Sequence, residues 1–218
     1  MTAPAWESVQ GELAELAPVL RRCVALDRGG VARVRAGAAT VAVYVRLPFG
    51  VLVSRTVPGP PAAAFDATVH CAELLAWLDA TTPAPPPARD AEWRAALPPA
   101  GGWQRIDTVP DAVVRDLVRA GALALQDAAA RDGLPGAQPR AEVADALLDS
   151  VVLTVTDDAA PNAIARITLR TLSALTRMGF LARGSHAHVD LAGRWTRVVG
   201  SYGTVYAEAP GGLTVRTR

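Results

Sequence analysis

The sequence predicts an α+β protein with two lobes. Three observations predict this class: an amphipathic helix pattern followed by β-branched runs near the start, a proline-rich segment in the middle, and helical periodicity followed by a hairpin pattern in the second half. The predicted boundaries are 1–80 for an α-β-β-β-α unit with an antiparallel meander, 81–102 for a linker, and 103–218 for a helical unit that ends in a β-hairpin.

The first lobe begins with a predicted helix over residues 6–26. Gly29-Gly30 ends this helix. Its apolar side chains recur at steps of three and four: Trp6, Val9, Leu13, Leu16, Leu20 and Cys23. Three β-branched or alternating runs follow at 31–35, 40–47 and 51–57, which predicts the meander. A second helix is expected after Pro58-Gly59-Pro60-Pro61, running to about Leu78.

The segment 81–102 is the predicted domain boundary. It contains six prolines and ends in Gly101-Gly102. Because proline lacks a backbone N–H and favours extended backbone, such a segment is typical of a spacer between folded units.

The second lobe begins with a short strand at 103–109 and a helix over 110–131. A helix at 141–148 runs into Ser150–Thr156, whose β-branched residues fit either a helix or a strand. A third helix is predicted over 161–178, followed by strands at 187–191, 194–199 and 204–207 and a last one at 213–216.

The predicted helix at 161–178 has two sharply different faces. Its apolar side chains fall on one side and Arg166, Arg170, Ser173 and Arg177 on the other. The order of strand, three helices and hairpin resembles the winged helix-turn-helix family, as does the run Leu172–Arg183 at the end of the third helix. The resemblance implies that those four side chains face DNA, and that Arg194 or Arg197 in the wing reaches phosphate.

His186, His188 and Asp190 form the alternative candidate site. On a strand these three side chains point the same way, and two imidazoles with a carboxylate can bind zinc or iron. A solvent-facing strand is the other interpretation. The sequence has no Gly-x-Ser-x-Gly, no Walker loop and no dinucleotide fingerprint, so no nucleotide cofactor is expected and catalysis is uncertain.

Composition limits the classes of function further. All 22 basic residues are arginine, which indicates a GC-rich bacterial genome, and net charge is only +1. From residue 161 onward, however, there are eight arginines and only two carboxylates. This imbalance suits an anion-binding face, or a face that docks on the acidic N-terminal half of the same molecule or on an acidic partner. With no leader or spanning segment predicted, we expect a cytoplasmic binding or regulatory protein whose partner is DNA or another protein.

Overall fold

The computed structural model describes residues 6–37, 39–59, 64–81, 84–131, 141–156 and 163–209. The helices in this part of the chain are α1 (Gln10–Ala14), α2 (Ala17–Leu26), α3 (Cys71–Leu78), α4 (Asp111–Arg131), α5 (Ala141–Leu148) and α6 (Leu169–Arg177). The strands are β1 (Val31–Ala36), β2 (Thr40–Arg46), β3 (Leu52–Pro58), β4 (Phe65–His70), β5 (Gln104–Pro110), β6 (Val151–Thr156), β7 (Ile164–Thr168), β8 (His186–Ala192), β9 (Trp195–Val199) and β10 (Thr204–Glu208).

An eight-stranded antiparallel sheet organises the molecule. Its strand order is β4-β1-β2-β3-β10-β9-β8-β5, and β6 and β7 form a separate pair. The order is symmetric about its centre: a meander with an added outer strand comes from residues 6–81, which we call the N-half, and its counterpart from residues 103–209, the C-half. In each half the outer strand runs directly into a helix, β4 into α3 and β5 into α4.

The two halves meet where β3 pairs with β10, which we call the seam. Only three residue pairs form it: Thr204 with Ser54, Val205 with Val53, and Tyr206 with Leu52. By contrast, β2 and β3 within the N-half pair over seven residues. Because the seam is shorter than either strand, the sheet has an unpaired stretch of β3 at one end of the seam and of β10 at the other.

The helices cover one face of the sheet and complete a continuous apolar core. Alternate residues of the strands, such as Val43, Val53, Val198 and Val205, are buried with apolar residues of α2, α3 and α6. At the meeting point of the halves the guanidinium of Arg22 on α2 donates to the carbonyl oxygen of Met178, just after α6. No helix in the described residues is long and apolar enough to cross a membrane.

The predicted meander of the N-half is confirmed, but the helix that follows it begins later than expected. Residues 65–70 form β4, and the helix covers only Cys71–Leu78. Ala67, Thr68 and Val69 are all buried while Asp66 is exposed, so β4 does not show the simple alternation of a half-buried strand.

The helix predicted over 161–178 is wrong in its first part. Residues 164–168 are β7, in which Ala165 and Ile167 are buried while Ile164 and Arg166 are exposed. The helix α6 begins only at Leu169, where the Thr168 hydroxyl accepts a hydrogen bond from the Thr171 backbone N–H. The ambiguous run at 150–156 is a strand, β6, that pairs with β7.

The C-terminal strands do not form the wing of a winged helix. The strands β8, β9 and β10 are consecutive members of the large sheet and join the N-half through the seam. The coarse α+β prediction is confirmed, and the finer prediction of a winged-helix-like C-terminal unit is wrong. The strand predicted at 213–216 and the helix start predicted at 161 lie outside the described residues.

The described part of the proline-rich linker lies against the large sheet near β4. The backbone N–H of Arg89 donates to the carbonyl oxygen of Thr68 at 2.6 Å, and Asp90 accepts from the Thr68 N–H at 2.7 Å. Further along, the Pro99 carbonyl oxygen accepts from the indole N–H of Trp103 in the C-half at 3.0 Å. The Trp103 ring packs near that of Tyr206 and beneath the guanidinium of Arg197. The linker therefore contacts both halves, and its role as a boundary between independent domains stays a prediction.

Candidate functional site

A large concave site lies at one end of the seam, and we call it the groove. It has a volume of about 770 Å³ and is lined by both halves: the β2–β3 loop of the N-half, Ala95 and Ala96 of the linker, and α5, α6, β9 and β10 of the C-half. This volume lies within the range of small-molecule and peptide pockets. The groove exists because the C-terminal end of β10 extends beyond its pairing with β3.

Arg170 forms the polar wall of the groove. Its Nε donates to Asp149 at 2.8 Å, one terminal nitrogen donates to Asp145 at 3.0 Å, and the other donates to the Phe49 carbonyl oxygen at 2.7 Å. The hydrogen bond to Asp149, assisted by Asp145, raises the pKa of Arg170 above its usual value against the opposing effect of burial. The Arg170 side chain is only 15% exposed. Because it donates to Phe49 on one side and to Asp145 on the other, it holds the β2–β3 loop of the N-half against α5 of the C-half.

The rest of the groove combines apolar surface with a few charges. Phe49, Leu52, Trp195 and Tyr206 provide aromatic and aliphatic area, and the exposed Arg46 lies at the rim with no ion-pair partner among the described residues. The Tyr206 hydroxyl is fixed by a 3.1 Å hydrogen bond with Ser54 across the seam. Aromatic surface with few charges is typical of sites that bind peptide side chains.

A smaller concavity, which we call the notch, lies at the opposite end of the seam. Its volume is about 260 Å³, and it is lined by Arg55, Thr56 and Val57 of β3 and by the β9–β10 turn with its flanking residues, Val199 to Thr204. The notch exists because β10 begins opposite Ser54 and leaves the rest of β3 without a partner on that side.

The six residues predicted to contact nucleic acid do not share one surface. Arg166 and Arg177 are exposed, and Ser173 is half-buried. Arg170 is held in the groove network described above, Arg194 pairs with Glu208 at 2.9 Å, and Arg197 pairs with Asp190 at 2.7 Å. Arg197 alternates with the buried Val198, so it lies on the face of the sheet opposite α6. The geometry therefore does not support a contact with DNA by all six residues together.

The three residues predicted to bind a metal lie on one strand, as expected, but Asp190 has other partners. Its carboxylate is 3% exposed and accepts from Arg105 at 3.2 Å and from Arg197 at 2.7 Å. His186 is exposed, and His188 is half-buried with Nδ1 unpartnered. In the described part of the chain no group of three or more His, Cys, Asp or Glu side chains is arranged to hold a metal ion.

Sequence patterns gave no indication of the groove or the notch. Both depend on the register of two strands that are about 150 residues apart in the chain, and no local pattern encodes that register. The usable signals were the Pro48-Phe49-Gly50 turn, which lines the groove, and Gly200-Ser201-Tyr202-Gly203, which lines the notch.

Two family models cover most of the chain. The model described as Domain of unknown function (DUF8185) matches residues 98–212, and the model described as Domain of unknown function (DUF8010) matches residues 3–95. The gap between them falls inside the linker. No curated protein matches the sequence.

The structure is similar to bacterial DNA polymerase sliding clamps. The sliding clamp of Caulobacter crescentus aligns with a TM-score of 0.57 and 9% identity over 94% of this chain and 65% of its own. The DNA polymerase III subunit beta of Pseudomonas aeruginosa gives 0.56 and 10% over 93% and 64%, and the sliding clamp of Bartonella birtlesii gives 0.55 and 10% over 94% and 64%.

These similarities establish the fold alone, because the identities are so low. The chain spans less than two-thirds of the length of each of these clamps. The fold is sliding-clamp-like, and the predicted resemblance to the winged helix-turn-helix family is therefore wrong. The physical reason is that β8, β9 and β10 join the strands of the N-half in one eight-stranded sheet instead of forming a separate hairpin.

Proposed function

The chain belongs to the DUF8185 family of domains of unknown function, and for this member we propose a role as a protein-binding platform. The observation that carries the proposal is the groove, which is lined by residues of both halves. The proposed occupant is an extended segment of a partner protein that places an apolar side chain against Phe49, Leu52 and Trp195. The proposed setting is a DNA-associated assembly, because similar folds include a DNA polymerase III subunit.

Charge favours a protein over DNA as the main partner. Helices α1 to α6 contain seven arginines and seven acidic residues, so the helical layer as a whole is neutral. Non-specific DNA binding depends on a concentration of positive charge that releases counterions. Within the predicted nucleic-acid site only Arg166 and Arg177 are exposed without a described ion-pair partner, so we keep DNA contact as the second candidate.

The groove is tested with a random-peptide phage library selected on the full-length chain. Ala96 lines the groove and is exposed, so Ala96→Arg fills the site without disturbing the core. Ala100→Arg is the matched control, because Ala100 is an exposed residue of the same linker outside the groove. We expect enriched peptides to bind the wild type and the control equally and to bind Ala96→Arg at least about tenfold more weakly.

Two results would contradict this function. The first is a selection that enriches no peptide over an unrelated protein. The second is a set of enriched peptides that bind Ala96→Arg as tightly as the wild type. A titration with duplex DNA at two salt concentrations, with Arg166→Ala/Arg177→Ala as the comparison, tests the second candidate separately.

A further inference from the structure

Arg55 in the notch differs from the other half-buried arginines of the described chain. Those others are Arg33, Arg89, Arg115, Arg170 and Arg197, and each has a carboxylate within ion-pair distance. Arg55 has no ion pair and no side-chain hydrogen bond with any described residue. Other arginines without ion pairs, such as Arg28 and Arg183, are exposed, so water satisfies them.

The position of Arg55 in the sheet makes this isolation costly. It pairs in register with Val43 and lies between Val53 and Val57 on β3, all three of which are buried in the core. A guanidinium on the core-facing side of a sheet loses part of its hydration, and a protein normally compensates that loss with a carboxylate or a carbonyl oxygen. The described structure supplies neither.

The notch beside Arg55 has the chemistry of an anion site. Its lining contains no Asp or Glu, so nothing in it competes with an anion for the guanidinium. Tyr202 of the β9–β10 turn lines the same space, and its hydroxyl has no hydrogen-bond partner among the described residues. Thr204 pairs with Ser54 and precedes the core residue Val205, so its side chain lies on the face of the sheet opposite Arg55. The Ser201 hydroxyl is different, because it is held by the Ala182 N–H and by Ser185.

The backbone around the notch is fixed, which gives the site a defined shape. The Gly200 N–H donates to the Gly203 carbonyl oxygen at 2.9 Å, and the Tyr202 N–H donates to the Phe180 carbonyl oxygen at 2.9 Å. The β9–β10 turn is therefore tied both to itself and to the segment after α6. A volume of about 260 Å³ accommodates a phosphate group with its nearest substituent.

We propose that the notch binds a phosphate group, with Arg55 as its charged ligand and the Tyr202 hydroxyl as a further donor. A planar guanidinium pairs with two oxygens of a phosphate at once, which makes arginine well suited to this role. The proposal is independent of the peptide groove, which lies at the other end of the seam. The phosphate belongs either to a free small molecule or to a nucleic-acid backbone.

The test follows the Arg55 side chain directly. Inorganic phosphate is titrated into the full-length protein at constant ionic strength while the Nε–H resonances of the arginines are recorded by NMR. We expect the Arg55 resonance to shift and saturate. We also expect Tm to rise by roughly 3–6 °C when phosphate reaches about ten times its dissociation constant.

Variants separate a specific site from general anion effects. Arg55→Gln removes the charge at the notch, and Arg28→Gln removes an exposed arginine after α2 as a control. The rise in Tm should disappear in Arg55→Gln and persist in Arg28→Gln. A wild type in which the Arg55 resonance does not saturate, or an equal loss of the rise in both variants, would overturn the proposal.

The source of the phosphate is distinguished by a second arm. Duplex DNA is added to the phosphate-bound protein, and the Arg55 resonance is followed again. A further shift of the Arg55 resonance, together with weaker binding of the duplex by Arg55→Gln than by Arg28→Gln, identifies a nucleic-acid backbone as the source. An unchanged resonance identifies a free phosphate compound.

Discussion

Arg170 and Arg55 are both half-buried arginines at the seam, one at each end, and they differ in every contact. Arg170 donates to two carboxylates and a backbone carbonyl, and so ties a loop of the N-half to a helix of the C-half. Arg55 has no described partner at all. At the groove end of the seam, Arg170 is therefore fully paired within the protein. At the notch end, Arg55 leaves a positive charge without a partner.

The difference shows how a short seam can serve two purposes. Three residue pairs leave two open ends, and each end is finished by side chains instead of by further strand pairing. Where the side chains satisfy one another, the site combines apolar surface with paired charges, which suits a protein partner. Where a charge is left unsatisfied, binding an anion relieves the cost of its partial burial.

The largest effect should come from breaking the seam itself. Val205 is fully buried and pairs with Val53 across it, so Val205→Asp places a carboxylate in the core. We expect a loss of about 4 kcal/mol or more in the free energy of unfolding, measured by urea denaturation. Because the sheet is continuous, a single transition should remain.

A matched control for that variant is Val151→Asp, since Val151 is 49% exposed on β6. It should cost well under about 1 kcal/mol. Two separate unfolding transitions in Val205→Asp, with the N-half unaffected, would show that the halves are independent and would remove the basis for comparing the two ends of one seam.

The next largest effect concerns Arg170, at the groove end of the seam. Arg170→Met keeps an unbranched side chain but removes the donors to Phe49, Asp145 and Asp149. We expect a loss of about 2 kcal/mol, since the carboxylates are 65% exposed and regain water. Hydrogen exchange should also become faster in the β2–β3 loop, and an unchanged exchange rate there would contradict the bridging role.

How much the sequence predicted depended on how cleanly each element was separated from its neighbours. The meander was predicted because glycine and proline separate strands whose apolar residues alternate. The strands β4 and β7 were missed because each runs into a helix without a loop, β4 into Cys71 and β7 into Leu169. Period-two and period-3.6 patterns then merge into one apolar run that fits a single longer helix.

The candidate sites were less predictable for a different reason. In the sequence Arg55 and Arg170 are alike, each an arginine with no charged residue within three positions, and only the fold decides which of them finds carboxylates. Asp190 illustrates the same limit. The His-x-His-x-Asp spacing fits a metal site, yet the fold brings two arginines to that carboxylate instead.

The smallest expected effect concerns Arg55, at the notch end of the seam. Arg55→Met retains most of the packing of the arginine stem and removes a charge that has no protein partner. Replacing such a charge by an apolar side chain is often neutral or stabilising. In phosphate-free buffer we expect a change in unfolding free energy between about zero and a gain of about 1 kcal/mol.

The most direct test of the difference between the two ends is to measure Arg55→Met and Arg170→Met side by side, by urea denaturation in phosphate-free buffer. We expect a loss of about 2 kcal/mol for Arg170→Met and no loss for Arg55→Met. Equal losses in the two variants would contradict the difference between the two ends, because Arg55 would then be as fully engaged within the protein as Arg170.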